Sequence, residues 1–142
     1  MSAANDRFDI IAVLDRYAEC LDTRDWPGLA EVFTDDVEMD FGVWHALDLA
    51  AVRTNIRAFL DGCGPSQHLL GNYRISLDGD SATSRCYCRV MHFGKGEHEG
   101  KTFESWIEYR DELVRTARGW RSRKRVAAPQ MQQGDPSLLG PV

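Results

Sequence analysis

The stretch Tyr17-Ala18-Glu19-Cys20-Leu21-Asp22-Thr23-Arg24-Asp25-Trp26-Pro27-Gly28-Leu29 decides how this chain folds. Apolar residues at helical spacing lead into it and predict an amphipathic first helix of about five turns. Asp22 falls at the C-terminal end of that helix, where the helix dipole does not stabilise a carboxylate. Asp25 is placed to cap a second helix over Trp26–Phe33, with Pro27 in its first turn. We therefore expect two helices whose junction leaves Asp22 in need of a partner.

Beyond this junction the pattern changes from helical to extended. Alternating apolar and acidic residues predict a strand over Asp36–Phe41. Asp48 is placed to cap a third helix over Leu49–Leu60, which a Gly- and Pro-containing segment ends. Four long extended segments follow, separated by Gly-containing hairpin turns. They are Ser66–Leu77, Ala82–Phe93, Lys101–Arg115 and Trp120–Ala127.

Three helices followed by a strand meander predict an α+β domain in which the helices cover the concave face of a curled antiparallel sheet. The strands exceed the usual length, so we expect strong curl and a bulge, which together give a cone. We expect residues 1–142 to form a single domain in which residues 129–142, rich in Gln, Gly and Pro, are a C-terminal arm.

Composition excludes several classes of protein. The 142 residues are 43% apolar and 27% charged, as in ordinary globular domains, and no apolar run or signal-peptide pattern is present, so a cytoplasmic location is expected. Four cysteines without a Cys-x-x-Cys pair are expected to be small buried residues rather than a zinc or redox centre. The formal net charge of −5 disfavours nucleic acid and membrane surfaces as partners.

The strand Ala82–Phe93 has two different faces. Small residues occupy alternate positions from Ala82 to Val90, which leaves room for a helix or a ligand. The intervening positions hold bulky residues and two arginines, a mixture that suits a subunit interface. We therefore expect a homodimer or a homotrimer.

The pattern Tyr17-x-x-Cys20-Leu21-Asp22-x-x-x-Trp26-x-x-Leu29-x-x-x-Phe33-x-x-Asp36 resembles the SnoaL-like branch of the nuclear transport factor 2-like superfamily. The fragments Gln67-His68-Leu69-Leu70-Gly71-Asn72 and Gly119-Trp120 agree with it, and the resemblance spans roughly residues 8–126. It implies the cone fold. It does not by itself imply one activity, because the superfamily includes dehydratases, isomerases, cyclases, dehalogenating lyases and non-catalytic subunits.

Within the superfamily the chain looks most like the scytalone dehydratase, bile-acid 7α-dehydratase and hexachlorocyclohexane dehydrochlorinase group. That resemblance implies that Asp22 and His68 pair inside the cone, with Tyr17 nearby. Some members carry a second His or an Asp on later strands, at positions that hold Val90 and Glu104 or Trp106 here. This part of the pattern is absent.

The Asp22–His68 pair suits proton abstraction from carbon. Asp22 would accept from one ring nitrogen of His68 and fix its tautomer, which leaves the other nitrogen free as the base. Tyr17 could donate to a carbonyl or leaving oxygen. The expected activity is a lyase or isomerase reaction on a small hydrophobic cyclic substrate, without cofactor or metal. The candidate pocket residues are Phe41, Trp44, Phe59, Leu70, Asn72, Met91 and Trp106.

Other interpretations fit the same residues. Asp22 could simply cap the inter-helix turn, Tyr17 fits a core position, and Asp40 is an alternative base. His92 and His98 lack metal-ligand spacing and fit a solvated hairpin. Non-catalytic alternatives are a small-ligand binding module and a structural subunit like the β chain of ring-hydroxylating dioxygenases, and a polyketide cyclase is an alternative enzyme.

Overall fold

The computed structural model describes residues 2–140, which form an α+β fold with two α-helices and one six-stranded sheet. The elements in chain order are α1 (Ala3–Thr23), a 3-10 helix (Pro27–Glu31), β1 (Phe33–Asp40), β2 (His45–Ala46), α2 (Leu49–Leu60), β3 (Ser66–Asp78), β4 (Ser81–Phe93), a second 3-10 helix (Gly96–His98), β5 (Thr102–Thr116), β6 (Gly119–Gly134) and a third 3-10 helix (Pro136–Leu138).

The sheet is curled and does not close, with strand order β2-β1-β6-β5-β4-β3. β3 to β6 form the predicted antiparallel meander. The antiparallel prediction was wrong at one pairing, because β1 lies parallel to β6, with Phe33 opposite Ser122 and Asp40 opposite Val126. Parallel neighbours need a long connection, and here α2 and the meander supply it.

The prediction of three α-helices was wrong, because Trp26–Phe33 forms only the 3-10 helix Pro27–Glu31. Asp25 does cap this turn, since its Oδ1 accepts from the Gly28 backbone N–H at 3.0 Å. The turn is tight, and a Cβ on Gly28 would lie 2.5 Å from the Asp25 carboxylate. Phe33, which is 2% exposed, already belongs to β1 and packs in the core. The third predicted helix is confirmed as α2, with the Asp48 side chain accepting from the Ala51 backbone N–H at 2.7 Å.

The two faces of β4 differ as predicted. Its small residues are buried, whereas Arg85, Tyr87 and Arg89 are exposed. All four cysteines are free and buried, which confirms their predicted structural role. The expected irregularities occur at two places between β5 and β6 and in β3, where the register with β4 shifts between Gly71 and Arg74 and Asn72 adopts a φ of 55°. Asn is among the few residues other than Gly that adopt this conformation readily.

The last strand is longer than predicted. β6 was expected to end at Ala127 but pairs with β5 as far as Gly134. The chain then turns through a 3-10 helix that buries Leu138, whose exposed fraction is 1%. The expected C-terminal arm thus begins within the sheet, and its last two residues, 141 and 142, lie outside the described part. Between residues 2 and 140, no helix combines the length and hydrophobicity needed to cross a membrane.

Candidate functional site

The end of α1 is tied to the start of β3 by Arg24. Arg24 has a φ of 58°, the left-handed conformation that ends the helix. Its guanidinium donates to the Gly64 carbonyl at 2.7 Å and to the Ser66 hydroxyl at 2.8 Å. Asp22, in the last helical turn, is therefore held against the first residues of β3.

Asp22 finds its partner in His68. The His68 Nδ1 lies 2.6 Å from Asp22 Oδ1, and the His68 backbone N–H donates to Oδ2 at 2.9 Å. The Ser66 hydroxyl also donates to Oδ1, at 3.1 Å. Since a carboxylate can only accept, His68 carries a proton on Nδ1 in this pair, so that in the neutral imidazole Nε2 is the nitrogen with the lone pair.

His68 opens onto a partly open, mostly apolar cavity of about 280 Å³ between the sheet, the helices and the C-terminal segment. Its lining combines aliphatic and aromatic side chains with a few neutral polar groups. The lining residues are Tyr17, Leu21, Phe41, Val43, Trp44, Ile56, Phe59, Leu60, His68, Val90, His92, Phe103, Ser105, Ile107, Tyr109, Pro129, Gln132, Pro136 and Leu139.

Several predicted site residues meet at this cavity. Tyr17 and His68 line it, as do Phe41, Trp44 and Phe59. The Phe41 and Trp44 rings stack at 5.5 Å between centroids on the connection from β1 to β2. Asp22 lies behind His68 and is not among the lining residues, as expected of a group that acts through the imidazole.

Four predicted pocket residues do not line the cavity, so those assignments are corrected. Met91 and Trp106 face the opposite side of the sheet, because each is out of phase with the buried residues of its strand. Asn72 is exposed at the β3 irregularity, which reverses the alternation there. Leu70 faces the same side as His68 but packs into the hydrophobic core.

His92 is a cavity residue that the sequence interpretation missed. Its ring is 5.9 Å from that of His68 and nearly perpendicular to it, and it stacks on Phe103. Burial, together with repulsion from His68, lowers the pKa of His92 to about 4. Its Nδ1 lies 3.2 Å from the Phe103 carbonyl, which can only accept, so the neutral ring carries its proton on Nδ1.

Two tyrosines form part of the cavity wall, and a buried ion pair lies behind them. The Arg125 guanidinium carbon is 4.3 Å from the Tyr17 ring centroid and 4.4 Å from that of Tyr109. Arg125 also pairs with Asp111 at 3.0 Å, with both side chains fully buried. Burial raises the pKa of Tyr17 to about 12 and that of Tyr109 well above its ordinary value. Both phenols are therefore protonated donors at neutral pH.

A second concavity, of about 460 Å³, lies on the opposite face of the sheet and is lined largely by charged and hydroxyl side chains, including Arg74, Arg85 and Arg110. It shares no residue with the cavity at His68. Among residues 2–140, no group of three or more His, Cys, Asp or Glu side chains is arranged to hold a metal ion. The His68 cavity is therefore the candidate active site.

The chain is similar in sequence to a known protein family and to other proteins. The family model for the SnoaL-like domain matches residues 2–126. An uncharacterized protein of Mycobacterium tuberculosis is 30% identical over 131 residues, which cover 91% of this chain and 88% of that protein.

Solved structures show the same fold. The Kfla4162 protein of Kribbella flavida superposes with a TM-score of 0.87 at 24% identity, covering 96% of this chain and 98% of that one. A hexachlorocyclohexane dehydrochlorinase (LinA, type 2) superposes with a TM-score of 0.80 at 15% identity, covering 94% and 93%. The chain therefore belongs to the SnoaL-like domain family, and its structural neighbours include proteins of the nuclear transport factor 2-like superfamily.

Proposed function

We propose that this protein is a cofactor-independent lyase or isomerase that removes a proton from carbon in a small hydrophobic cyclic substrate. The observation that carries the proposal is the hydrogen bond of 2.6 Å between Asp22 and His68, at the wall of an apolar cavity. A histidine oriented by a carboxylate and facing an apolar cavity is a typical arrangement for a general base.

In this proposal His68 Nε2 takes the proton. In an elimination, the C–H electron pair becomes the new carbon–carbon double bond as a leaving group departs from the adjacent carbon. In an isomerisation no group leaves, and the carbanion is protonated again at another carbon. Asp22 stabilises the imidazolium that forms, and its two further donors, Ser66 and the His68 backbone N–H, fix its position. Tyr17, a protonated phenol at the cavity wall, would donate to a carbonyl or leaving oxygen.

The comparisons support an elimination. One protein with this fold is named as a dehydrochlorinase, an enzyme of hydrogen chloride loss. Elimination and isomerisation use the same base, however, and differ in whether a leaving group sits beside the carbanion. The chemistry of the substrate therefore decides between them.

A screen of cyclic alcohols and ketones tests the proposal. Mass spectrometry would detect loss of water, and a changed ultraviolet spectrum at unchanged mass would detect isomerisation. We expect turnover of at least one compound by the wild type and none by His68→Gln. His45→Gln, the same change at a half-exposed histidine, is the matched control and should retain activity.

The second candidate function is a small-ligand binding module or a subunit resembling the dioxygenase β chain, and a polyketide cyclase is a further one. The mostly apolar lining of the cavity favours ligand binding even without turnover. Two results together would support the binding module instead. The wild type would bind cyclic ketones without transforming any of them, and His68→Gln would bind them with the same affinity.

A further inference from the structure

Three arginines occupy one transverse row of the sheet, on the face away from the His68 cavity. The register places Arg74 of β3 opposite Arg85 of β4, and Arg85 opposite Arg110 of β5. All three line the concavity of about 460 Å³ on that face. Like charges directly opposite each other on neighbouring strands destabilise a sheet. The row is therefore unfavourable unless negative charge lies against it.

One carboxylate of the protein holds two of these arginines in place. Glu108 Oε2 accepts from Arg85 Nη2 at 3.2 Å, and Glu108 Oε1 accepts from Arg110 Nε at 2.5 Å. The Glu108 side chain is 5% exposed, whereas the Arg85 and Arg110 side chains are 57% and 55% exposed. Because a guanidinium has five N–H donors, each arginine keeps donors that Glu108 does not use. The two guanidiniums are thus fixed side by side with free donors toward solvent.

Arg74 has no carboxylate of its own. Nearby, Arg123 pairs with Glu112 at 3.6 Å and Lys124 lies 3.9 Å from Glu38, but Arg74 takes part in no ion pair among residues 2–140. The lining of the concavity has four basic residues and two acidic ones. One of these acidic residues, Asp111, is already paired with a buried arginine. Positive charge is therefore in excess here, although the whole chain has a formal net charge of −5.

We propose that this concavity binds a small dianionic oxyanion, either free phosphate or the phosphate group of a small organic molecule, through Arg74, Arg85 and Arg110. The planar fork of a guanidinium matches the oxygens of a phosphate group, and such charge-assisted hydrogen bonds are the strong ones. Arg85 and Arg110 are preorganised by Glu108, and Arg74 supplies the charge that no carboxylate of the chain neutralises. The site shares no residue with the His68 cavity, so this inference does not depend on the proposed function.

The size and charge of the site favour a small anion over a nucleic acid. The volume of about 460 Å³ is within the range of small-ligand pockets. An extended polyanion would also meet the rest of the surface, and the net negative charge of the chain repels it. Since the arginine side chains are more than half exposed, we expect binding that salt weakens.

Isothermal titration calorimetry of the wild-type protein with inorganic phosphate and with methyl phosphate tests this proposal. The titrations are run at low ionic strength and about pH 8, where phosphate esters are dianions. Both should bind with a Kd of about 1 mM or lower, or inorganic phosphate alone should do so if the natural ligand is the free ion. Acetate, which carries one charge, should bind at least about tenfold more weakly.

Arg74→Gln should weaken phosphate binding roughly five- to tenfold, because it removes charge-assisted hydrogen bonds. Arg74 makes no ion pair within the described chain, so its replacement leaves the sheet intact. Arg57→Gln is the matched control, since it makes the same charge change at a 53% exposed side chain of α2 that does not line the concavity. Phosphate affinity in this control should stay within about twofold of the wild type.

Equal losses in Arg74→Gln and Arg57→Gln would overturn the site and assign the binding to diffuse surface charge. Acetate bound as tightly as phosphate would overturn the preference for a dianion. A wild type that binds neither phosphate probe at about 10 mM would overturn the proposal. If Arg74→Gln then also lowered the mass measured by light scattering, the arginines would instead contact a second copy of the chain. His68→Gln should bind phosphate as the wild type does, whether or not His68 is the base.

Discussion

Asp22 accepts three hydrogen bonds, and this sets the direction in which the His68 imidazole can act. Two come from the backbone and ring of His68 and one from Ser66, whose hydroxyl also accepts from Arg24. The carboxylate therefore cannot rotate without breaking its contacts with β3. A neutral amide at this position keeps the shape of the side chain and loses the charge.

Asp22→Asn is expected to lower kcat/KM by roughly 10²- to 10⁴-fold on any substrate that the wild type turns over. The reason is that Asn neither fixes the required tautomer nor stabilises the imidazolium. Asp40→Asn is the control, because Asp40 is exposed and its Oδ1 only accepts from the Gly42 backbone N–H at 2.8 Å. Loss of activity in Asp40→Asn and retention in Asp22→Asn would make Asp40 the base.

His92 makes stability depend on pH. Its folded pKa of about 4 is below its ordinary value of 6.5, so between these pH values the unfolded chain binds a proton that the folded chain does not. The free energy of unfolding should fall as pH drops from 6.5 to 4, by up to about 3 kcal/mol. Above pH 6.5 this penalty is absent, because His92 is neutral in both states.

Urea unfolding of the wild type and of His92→Gln between pH 4 and 7 measures this contribution. The carboxylates that also titrate there cancel in the difference between the two proteins. The difference should change by about 3 kcal/mol across the window. A difference that does not vary with pH would mean that His92 is protonated within the folded protein.

Individual site residues were predictable where alternation along the strand was simple. Small residues occupy every second position of β4 up to Val90, and the next position on the same face is His92. The sequence alternation therefore already indicated that His92 is buried. Trp106 was misplaced because large residues occupy both faces of β5 around it, Phe103 and Ile107 on one and Glu104 and Glu108 on the other, so size did not reveal which side is buried. Asn72 was misplaced because a strand irregularity inverts the alternation, and only its tolerance of positive φ hints at one.

At the scale of elements, the C-terminal end of β6 and the turn that follows it complete the cavity. Pro129 and Gln132 of β6 line it, as do Pro136 and Leu139 beyond the strand. Asp135 holds the segment in place, since it pairs with Lys101 at 3.0 Å and its backbone N–H donates to the Thr102 carbonyl. Leu138 then inserts into the core.

Leu138→Ala is expected to lower the free energy of unfolding by roughly 2–5 kcal/mol, because it leaves a cavity in the core beneath this segment. Leu139→Ala, at a partly exposed neighbouring site, should cost less and mainly widen the cavity mouth. Chemical denaturation of both variants gives the comparison. Equal, small losses would show that the C-terminal segment is not docked.

The length of β6 and the 3-10 helix were the elements that sequence patterns predicted worst. Gln130 to Gln133 lack the apolar alternation of a strand because they are exposed at the edge of the cavity, where backbone pairing with β5 holds them. Pro27 and Gly28 suit either kind of helix, and the early start of β1 is what limits the segment to a 3-10 helix. By contrast, α2 was predictable to the residue because its cap and its stop signals are local.

At the scale of the whole molecule, the sheet has one face toward the cavity and one toward the outside. An outer row, defined as Leu69, Arg89, Trp106 and Met131, crosses β3 to β6 in register. Leu69 is 68% and Met131 58% exposed, and Arg89 stacks on Trp106 at 5.1 Å. Exposed apolar side chains aligned across a sheet are typical of an interface, and we propose that this face joins the subunits of a homodimer or homotrimer.

The double variant Leu69→Lys/Met131→Lys is expected to be monomeric by size-exclusion chromatography with light scattering, because it places charges in the proposed interface. Phe8→Lys, a change at an equally exposed residue of α1, is the control and should keep the wild-type mass. A monomeric wild type would show that the proposed interface does not exist. A double variant that keeps the wild-type mass would show that the interface lies elsewhere.

Deuterium incorporation into 2-decalone in D₂O at neutral pH, followed by proton NMR, tests most directly whether His68 is the base. It reports proton abstraction without requiring a leaving group. We expect the wild type to exchange the protons on the carbon beside the carbonyl, and His68→Gln to show only the background rate measured without protein. Equal exchange by both proteins, or bound 2-decalone that never exchanges with the wild type, would contradict the assignment of His68 as the base.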